Sequence, residues 1–112
     1  MGIKMDNVSF DERWMLDQLQ GIDKKYHATI KRTFYGGIRY ILNPKNGRKS
    51  FYGKANMFVF RSGRNGSRVE SFLVSYSTIV SVLWKGKVVR LGKWTNTTSI
   101  HQKTYEEEYN AL

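Results

Sequence analysis

Residues 71–84, SFLVSYSTIVSVLW, decide how this chain is read. Phe72, Val74 and Tyr76 alternate with Ser71, Leu73 and Ser75, and Val80, Val82 and Trp84 alternate with Ile79, Ser81 and Leu83. A period of two sends successive side chains to opposite faces of a strand. The stretch therefore predicts strands at Arg68 to Tyr76 and Ile79 to Trp84, with one apolar face and one mixed face. Such a sheet is expected to be covered by helices on one side.

Working outward, β-branched and aromatic residues dominate from Tyr26 onward, in short runs punctuated by glycine. Further strands are predicted at Tyr26 to Thr33, Ile38 to Leu42, Met57 to Arg61 and Val88 to Leu91. Asn46-Gly47 and Asn65-Gly66 accept the positive φ of tight turns, and Lys85-Gly86 lies between apolar residues, so at least two hairpins are expected. The Gly36-Gly37 pair fits either a turn or a bulge.

Both ends read as helices. In NVSFDERWMLDQLQGID, Ser9 and Glu12 have the spacing of a capping box, and Phe10, Trp14, Leu16 and Leu19 can share a face before Gly21 stops the helix. In TNTTSIHQKTYEEEYNAL, Thr97, Thr98 or Ser99 can cap a helix whose apolar face would be Ile100, Tyr105 and Tyr109. Glu106 to Glu108 oppose the dipole near its C-terminal end, so fraying is expected there. The expected fold class is α+β: an N-terminal helix, a twisted antiparallel sheet of about five or six strands and a C-terminal helix, forming a single domain over residues 1–112.

Composition narrows the chemistry. The chain has no cysteine, which removes disulfides, thiolate metal sites and cysteine nucleophiles. The N-terminus lacks the apolar core of a signal peptide and no window reaches the ~18 apolar residues of a membrane span, so a soluble, cytoplasmic protein with no membrane partner is expected. His27 and His101 lie far apart without a third group at ligand spacing. Most of the carboxylates sit in the first helix, just before it, or in the terminal tail, where charge is usually solvated. Glu70, alone among the central cations, reads as a surface partner for Arg68 or a neighbouring cation. No catalytic residue, metal or cofactor is therefore expected.

Charge gives the strongest functional indication. Lys24 to Lys103 contains 17 basic residues and one acid and carries +16, whereas the flanks carry −6, for a net +10. A basic centre between acidic ends points to polyanions. Cations interleave with aromatics in KRTFYGGIRY, GRKSFYGK, FRSGRNGSR and RLGKW. Phosphates can be neutralised by Arg and Lys while Tyr or Trp stacks on unpaired bases. Candidate contacts are Arg48, Lys49, Tyr52, Lys54, Arg61, Arg64, Arg68, Lys93 and Trp94, with Tyr35, near glycines and cations, a further candidate aromatic. Phe34, Phe58, Phe60 and Phe72 are assigned to the core. Thr97, Thr98, Ser99 and His101 are candidate anion contacts, because a helix start offers unpaired N–H groups beside those hydroxyls; the competing reading is plain capping.

RKSFYGKA (Arg48 to Ala55), LVSYSTIV (Leu73 to Val80) and WTNTTSIH (Trp94 to His101) resemble a family of small proteins of unknown function encoded by bacteriophages and other mobile elements. The resemblance covers roughly the C-terminal two thirds and departs from the usual pattern at Trp94 and at SIHQ. It implies a viral accessory protein acting in the bacterial host cell, where such proteins bind nucleic acid or block host machinery. The partner expected is nucleic acid or a host nucleoprotein complex. Alternatives are a protein-directed, anti-CRISPR-like inhibitor of host defence and a binder of small phosphorylated signals.

Overall fold

The strand pair read from residues 71–84 is the centre of the sheet in the computed structural model, which describes residues 9–44 and 50–111. The strands are β1 Ile38–Ile41, β2 Ala55–Ser62, β3 Arg68–Ser75, β4 Thr78–Trp84 and β5 Lys87–Arg90, in the order β1-β2-β3-β4-β5 with every neighbour antiparallel. Helices α1 Glu12–Leu19 and α2 His27–Gly36 precede the sheet, and α3 Asn96–Ala111 follows it. The α+β class, the five strands and the two terminal helices agree with the sequence reading.

The helical cover does not. Met15 and Leu19 of α1 and Ile30 of α2 pack with Phe58, Phe72, Val74, Ile79 and Val82 on one face of the sheet. Tyr105 of α3 packs with Met57, Val59, Leu73 and Val80 on the other. Both faces are covered because the mixed face is mixed with serine, a side chain small enough for a helix to approach closely. Ser71, Ser75 and Ser81 are all buried. Of the phenylalanines assigned to the core, Phe58 and Phe72 are buried, and Phe34 and Phe60 are half-buried.

Tyr26 to Thr33 is not a strand. Asp23 caps a 3-10 turn, Lys24–Tyr26, by accepting from the Lys25 N–H, and α2 continues from it. Thr29, Ile30 and Thr33 are its buried residues, at the spacing of one helical face. β-branched propensity amounts to only tenths of a kcal/mol per residue, and burying Ile30 alone contributes about 2 kcal/mol. Packing over the sheet therefore prevails. The Gly36-Gly37 pair ends this helix. Gly37 donates to Thr33 O at 2.8 Å, and a β-carbon there would collide with that oxygen and lie 2.9 Å from Val59 O.

The caps differ from the sequence reading too. Asp11, not Ser9, caps α1 by accepting from Trp14 N–H at 2.9 Å, and Ser9 only meets the Asp11 carboxylate. Met15 and Leu19 form the buried face of α1, while Leu16 is exposed. Thr95 lies at the start of α3, where its hydroxyl accepts from Thr98 N–H and its carbonyl from Ser99 N–H. Ile100 is exposed, and the buried face of α3 is polar: Thr98, His101, Gln102, Thr104 and Tyr105. The helix runs unbroken through the glutamates to Ala111, held by Arg90 on Glu106 and by the Tyr109 hydroxyl on Gly86 O.

Two of the glycine turns fall as expected. Lys85 and Gly86 both have positive φ and join β4 to β5 as a two-residue turn, and Asn65-Gly66 lies in the β2–β3 connection within a 3-10 turn. Asn46-Gly47 lies outside the described residues. Opposite Leu73-Val74 the ladder passes from Ser81 to Ile79, leaving Val80 as a bulge. The Val80 carbonyl accepts from Leu91 N–H and from the Gln102 amide, tying β4 to both the chain after β5 and α3.

Candidate nucleic-acid interface

Antiparallel order places the β2–β3 and β4–β5 turns at one end of the sheet, and the β3–β4 turn with the start of α3 at the other. The predicted contacts divide accordingly. Arg61, Arg64 and Arg68 lie at the first end; Tyr52, Lys54, Lys93 and Trp94 lie at the second, with Thr97, Thr98, Ser99 and His101. The eight residues of β2 separate the two groups by roughly 26 Å at about 3.3 Å per residue. Arg48 and Lys49 lie outside the described residues.

The first end gathers more cations than the sequence reading named. Arg32 of α2 grips Glu70 with two hydrogen bonds, Nε to Oε2 at 2.7 Å and Nη2 to Oε1 at 2.5 Å, and Arg68 approaches the same carboxylate at 3.8 Å. Glu70 is thus a buried anchor, 6% exposed, rather than a surface residue. Its hydrogen bonds raise the Arg32 pKa, so that guanidinium is permanently charged. Beside this pair, Lys85 lies 4.6 Å and Lys25 5.6 Å from the Trp84 ring, whose edge contact with Tyr26 holds it in place. Arg32, Arg68, Glu70, Trp84 and Lys85 line a cleft of about 240 Å³. Lys87 pairs with Trp84 across the turn, and Arg64 sits in the other turn. Arg32, Trp84 and Lys85 were not named as contacts from sequence because residues 26–33 were read as a strand and LWKGKVV only as a turn, and Lys25 carried no signal of its own.

The second end is built differently. Ser75 Oγ lies 3.0 Å from Thr98 Oγ1 and 2.8 Å from His101 Nδ1, and the Phe51 ring lies 4.5 Å from the imidazole. Ser75, Thr98 and His101 are buried, and burial lowers the His101 pKa, which favours the neutral ring. Thr98 and His101 thus spend their hydrogen bonds inside the protein, while Thr97 is exposed and Ser99 half-buried. The serine–histidine pair is buried against α3, and Ser75 and Thr98 also line the cleft beside Trp94. Tyr52 and Tyr76 are exposed and held at positive φ, and Tyr76 N–H donates to Lys54 O at 2.7 Å. Trp94 lies between a cleft of about 420 Å³ lined by Ser75, Tyr76, Thr95 and Thr97 and one of about 370 Å³ lined by Asp17 and Asp23. Neither lining includes a lysine or arginine. Among the described residues, the cations around the Glu70 cleft thus lie at the hairpin end, whereas the two clefts beside Trp94 are lined by carboxylates and hydroxyls.

Among the described residues no helix is long and apolar enough to cross a membrane, and no three His, Asp or Glu side chains are grouped to hold a metal ion. The architecture defines an α+β domain in which one antiparallel sheet is held between two preceding helices and one following helix. Within that class the chain belongs to the DUF8033 family, a family of unknown function, matched over residues 41–111. That segment runs from the end of β1 through α3 and holds Arg68, Glu70, Trp84, Lys85 and the Ser75–His101 pair; Lys25 and Arg32 precede it. No curated protein and no solved structure matches the chain.

Proposed function

We propose that this is a non-enzymatic accessory protein, of the phage or mobile-element kind, that binds nucleic acid or a nucleoprotein through the hairpin end of its sheet. The observation supporting this is the gathering of Lys25, Arg32, Arg64, Arg68, Lys85 and Lys87 around two turns and one cleft whose single carboxylate, Glu70, is already held by Arg32. Cations fixed on strands, a helix and tight turns keep their spacing, so contact with a phosphate backbone costs little ordering entropy. Trp84, half-buried between two lysines, offers an edge against which a base or sugar can rest.

The test is equilibrium binding of the full chain to labelled single-stranded and duplex oligonucleotides across a salt series. Neutralising three phosphate contacts predicts a log–log salt slope of about −2 to −3. Replacing Arg64, Arg68 and Lys85 together by alanine should remove most of that slope and leave the thermal transition in place. Capture of one host protein that survives nuclease treatment, with no oligonucleotide affinity, would sink direct nucleic-acid binding.

A further inference from the structure

The two edges of the sheet are unlike. β5 carries Lys87 and Arg90, charges of the kind that discourage addition of another strand. β1 reads Ile-Arg-Tyr-Ile, and Ile38, Tyr40 and Ile41 are 62%, 44% and 55% exposed. Its one charged side chain, Arg39, lies over the Phe10 ring at 5.1 Å. The strand has neither proline nor bulge, and no other described strand pairs with its outer edge.

Its hydrogen-bond phase is set by β2. Leu42 N–H donates to Ala55 O at 2.8 Å, and the register is unbroken from Ile38 opposite Val59 to Ile41 opposite Asn56. Inward-pointing backbone groups repeat every second residue, so Tyr40 and Leu42 point theirs at β2. Arg39 and Ile41 therefore present N–H and C=O outward.

We propose that this edge takes a second copy of the same chain, β1 against β1, antiparallel about a two-fold axis through Tyr40, to give one ten-stranded sheet. In that register Arg39 of each copy opposes Ile41 of the other and both residues exchange their outward N–H and C=O, making four backbone hydrogen bonds. Tyr40 meets its counterpart on the axis, an aromatic cross-strand pair. Of the two neighbouring allowed registers, the one centred on Arg39 would oppose two guanidinium groups directly, and the one centred on Ile41 would lose the tyrosine pair and set Arg39 against Asn43. Two features favour a second copy over an unrelated strand. The edge is complementary to itself in phase, its one cation, Arg39, faces Ile41 and not its own copy in this register, and a two-fold pairing consumes the edge and stops. Antiparallel pairing also carries the two basic hairpin ends to opposite ends of the joined sheet, keeping the densest charge of two +10 chains apart.

Sedimentation equilibrium of the full chain is expected to give twice the 13.1 kDa chain mass. Tyr40→Lys, which opposes two ammonium groups on the axis, is expected to sediment as a single chain with an unchanged circular dichroism spectrum. Since the sequence has no cysteine, single-cysteine variants report the register directly. Tyr40→Cys sits at a non-hydrogen-bonded pair with Cα atoms about 4.5 Å apart, within disulfide range, and should cross-link in air far ahead of Ile38→Cys and Ile41→Cys. The cysteine series stands even if Tyr40→Lys fails to fold. A wild-type chain that stays single at high micromolar concentration overturns the proposal, as does a dimer that survives Tyr40→Lys or whose Tyr40→Cys lags either control.

Discussion

Gly37 and His101 show what single residues contribute here. Gly37 has an ordinary φ of −94°, so glycine is required for space and not for backbone freedom. The two nearest atoms that a β-carbon would meet are backbone oxygens, on α2 and β2, and neither can move without breaking its element. Gly37→Ala is therefore expected to cost about 3 kcal/mol, read as a lower midpoint in urea denaturation; an unchanged midpoint would show that the helix–strand junction yields. His101 is buried beside Ser75, and burial holds its pKa below the ordinary 6.5. The unfolded chain then takes up a proton more readily than the folded one. Stability should be full above about pH 6.5 and fall as pH drops from there toward the folded value. His101→Gln, which keeps a hydrogen-bonding side chain but cannot titrate, should flatten the loss between about pH 7 and 5.5; an equal loss in both proteins would place the titration elsewhere.

At the scale of elements, α3 is unusual in the way it binds the sheet. Its buried side chains are a serine-matched threonine, a histidine, a glutamine bonded to the bulged Val80 carbonyl, Thr104, and Tyr105, fully buried. Ser71 lies beside the Tyr105 hydroxyl, yet neither group meets hydrogen-bond geometry, and burial holds the phenol well above its usual pKa. A buried hydroxyl without a partner costs more than the same volume of apolar surface. Tyr105→Phe should leave stability unchanged or raise it by about 1 kcal/mol in thermal denaturation; a loss of that size would mean the hydroxyl is bonded after all. α1 and α2 hold the other face by apolar packing through Met15, Leu19 and Ile30. The sheet is thus covered on one face by apolar packing and on the other by a helix whose buried side is mostly polar.

Charge acts at the scale of the whole molecule. The acidic flanks do not neutralise the basic centre evenly. Glu106 holds Arg90, the helix carrying Glu106 to Glu108 ends against the β4–β5 turn through Tyr109, and Asp17 and Asp23 line the cleft beside Trp94 at the opposite end of the sheet from Arg64 and Lys85. Among the described residues, the cations of the two hairpin turns thus lie at the end of the sheet away from Asp17 and Asp23. Raising salt should weaken polyanion binding by the wild type more steeply than by the Arg64, Arg68 and Lys85 triple variant, as measured by fluorescence anisotropy; parallel slopes would place the contact elsewhere. Of the cations named from sequence, Arg64 and Arg68 belong to this end, whereas Lys54 and Lys93 belong to the other. Interleaving along the chain was legible; convergence in space was not.

Alternation in residues 71–84, the Lys85-Gly86 turn and the helical periodicity of both ends were legible because each is a local pattern, expressed over a few residues by backbone geometry alone. From them the chain's own letters determined the class, the strand count to within one and the excess of cations in the middle. Tertiary structure decided the rest. Residues 26–33 became a helix because burying Ile30 and Thr33 over the sheet outweighs β-branched propensity. Glu70 became an anchor because Arg32, distant in sequence, reaches it. Ser75, Thr98 and His101 were sealed together because α3 folds back over the mixed face. Each of these depends on residues far apart along the chain meeting at hydrogen-bond or van der Waals distance, and such meetings leave no periodic trace in sequence.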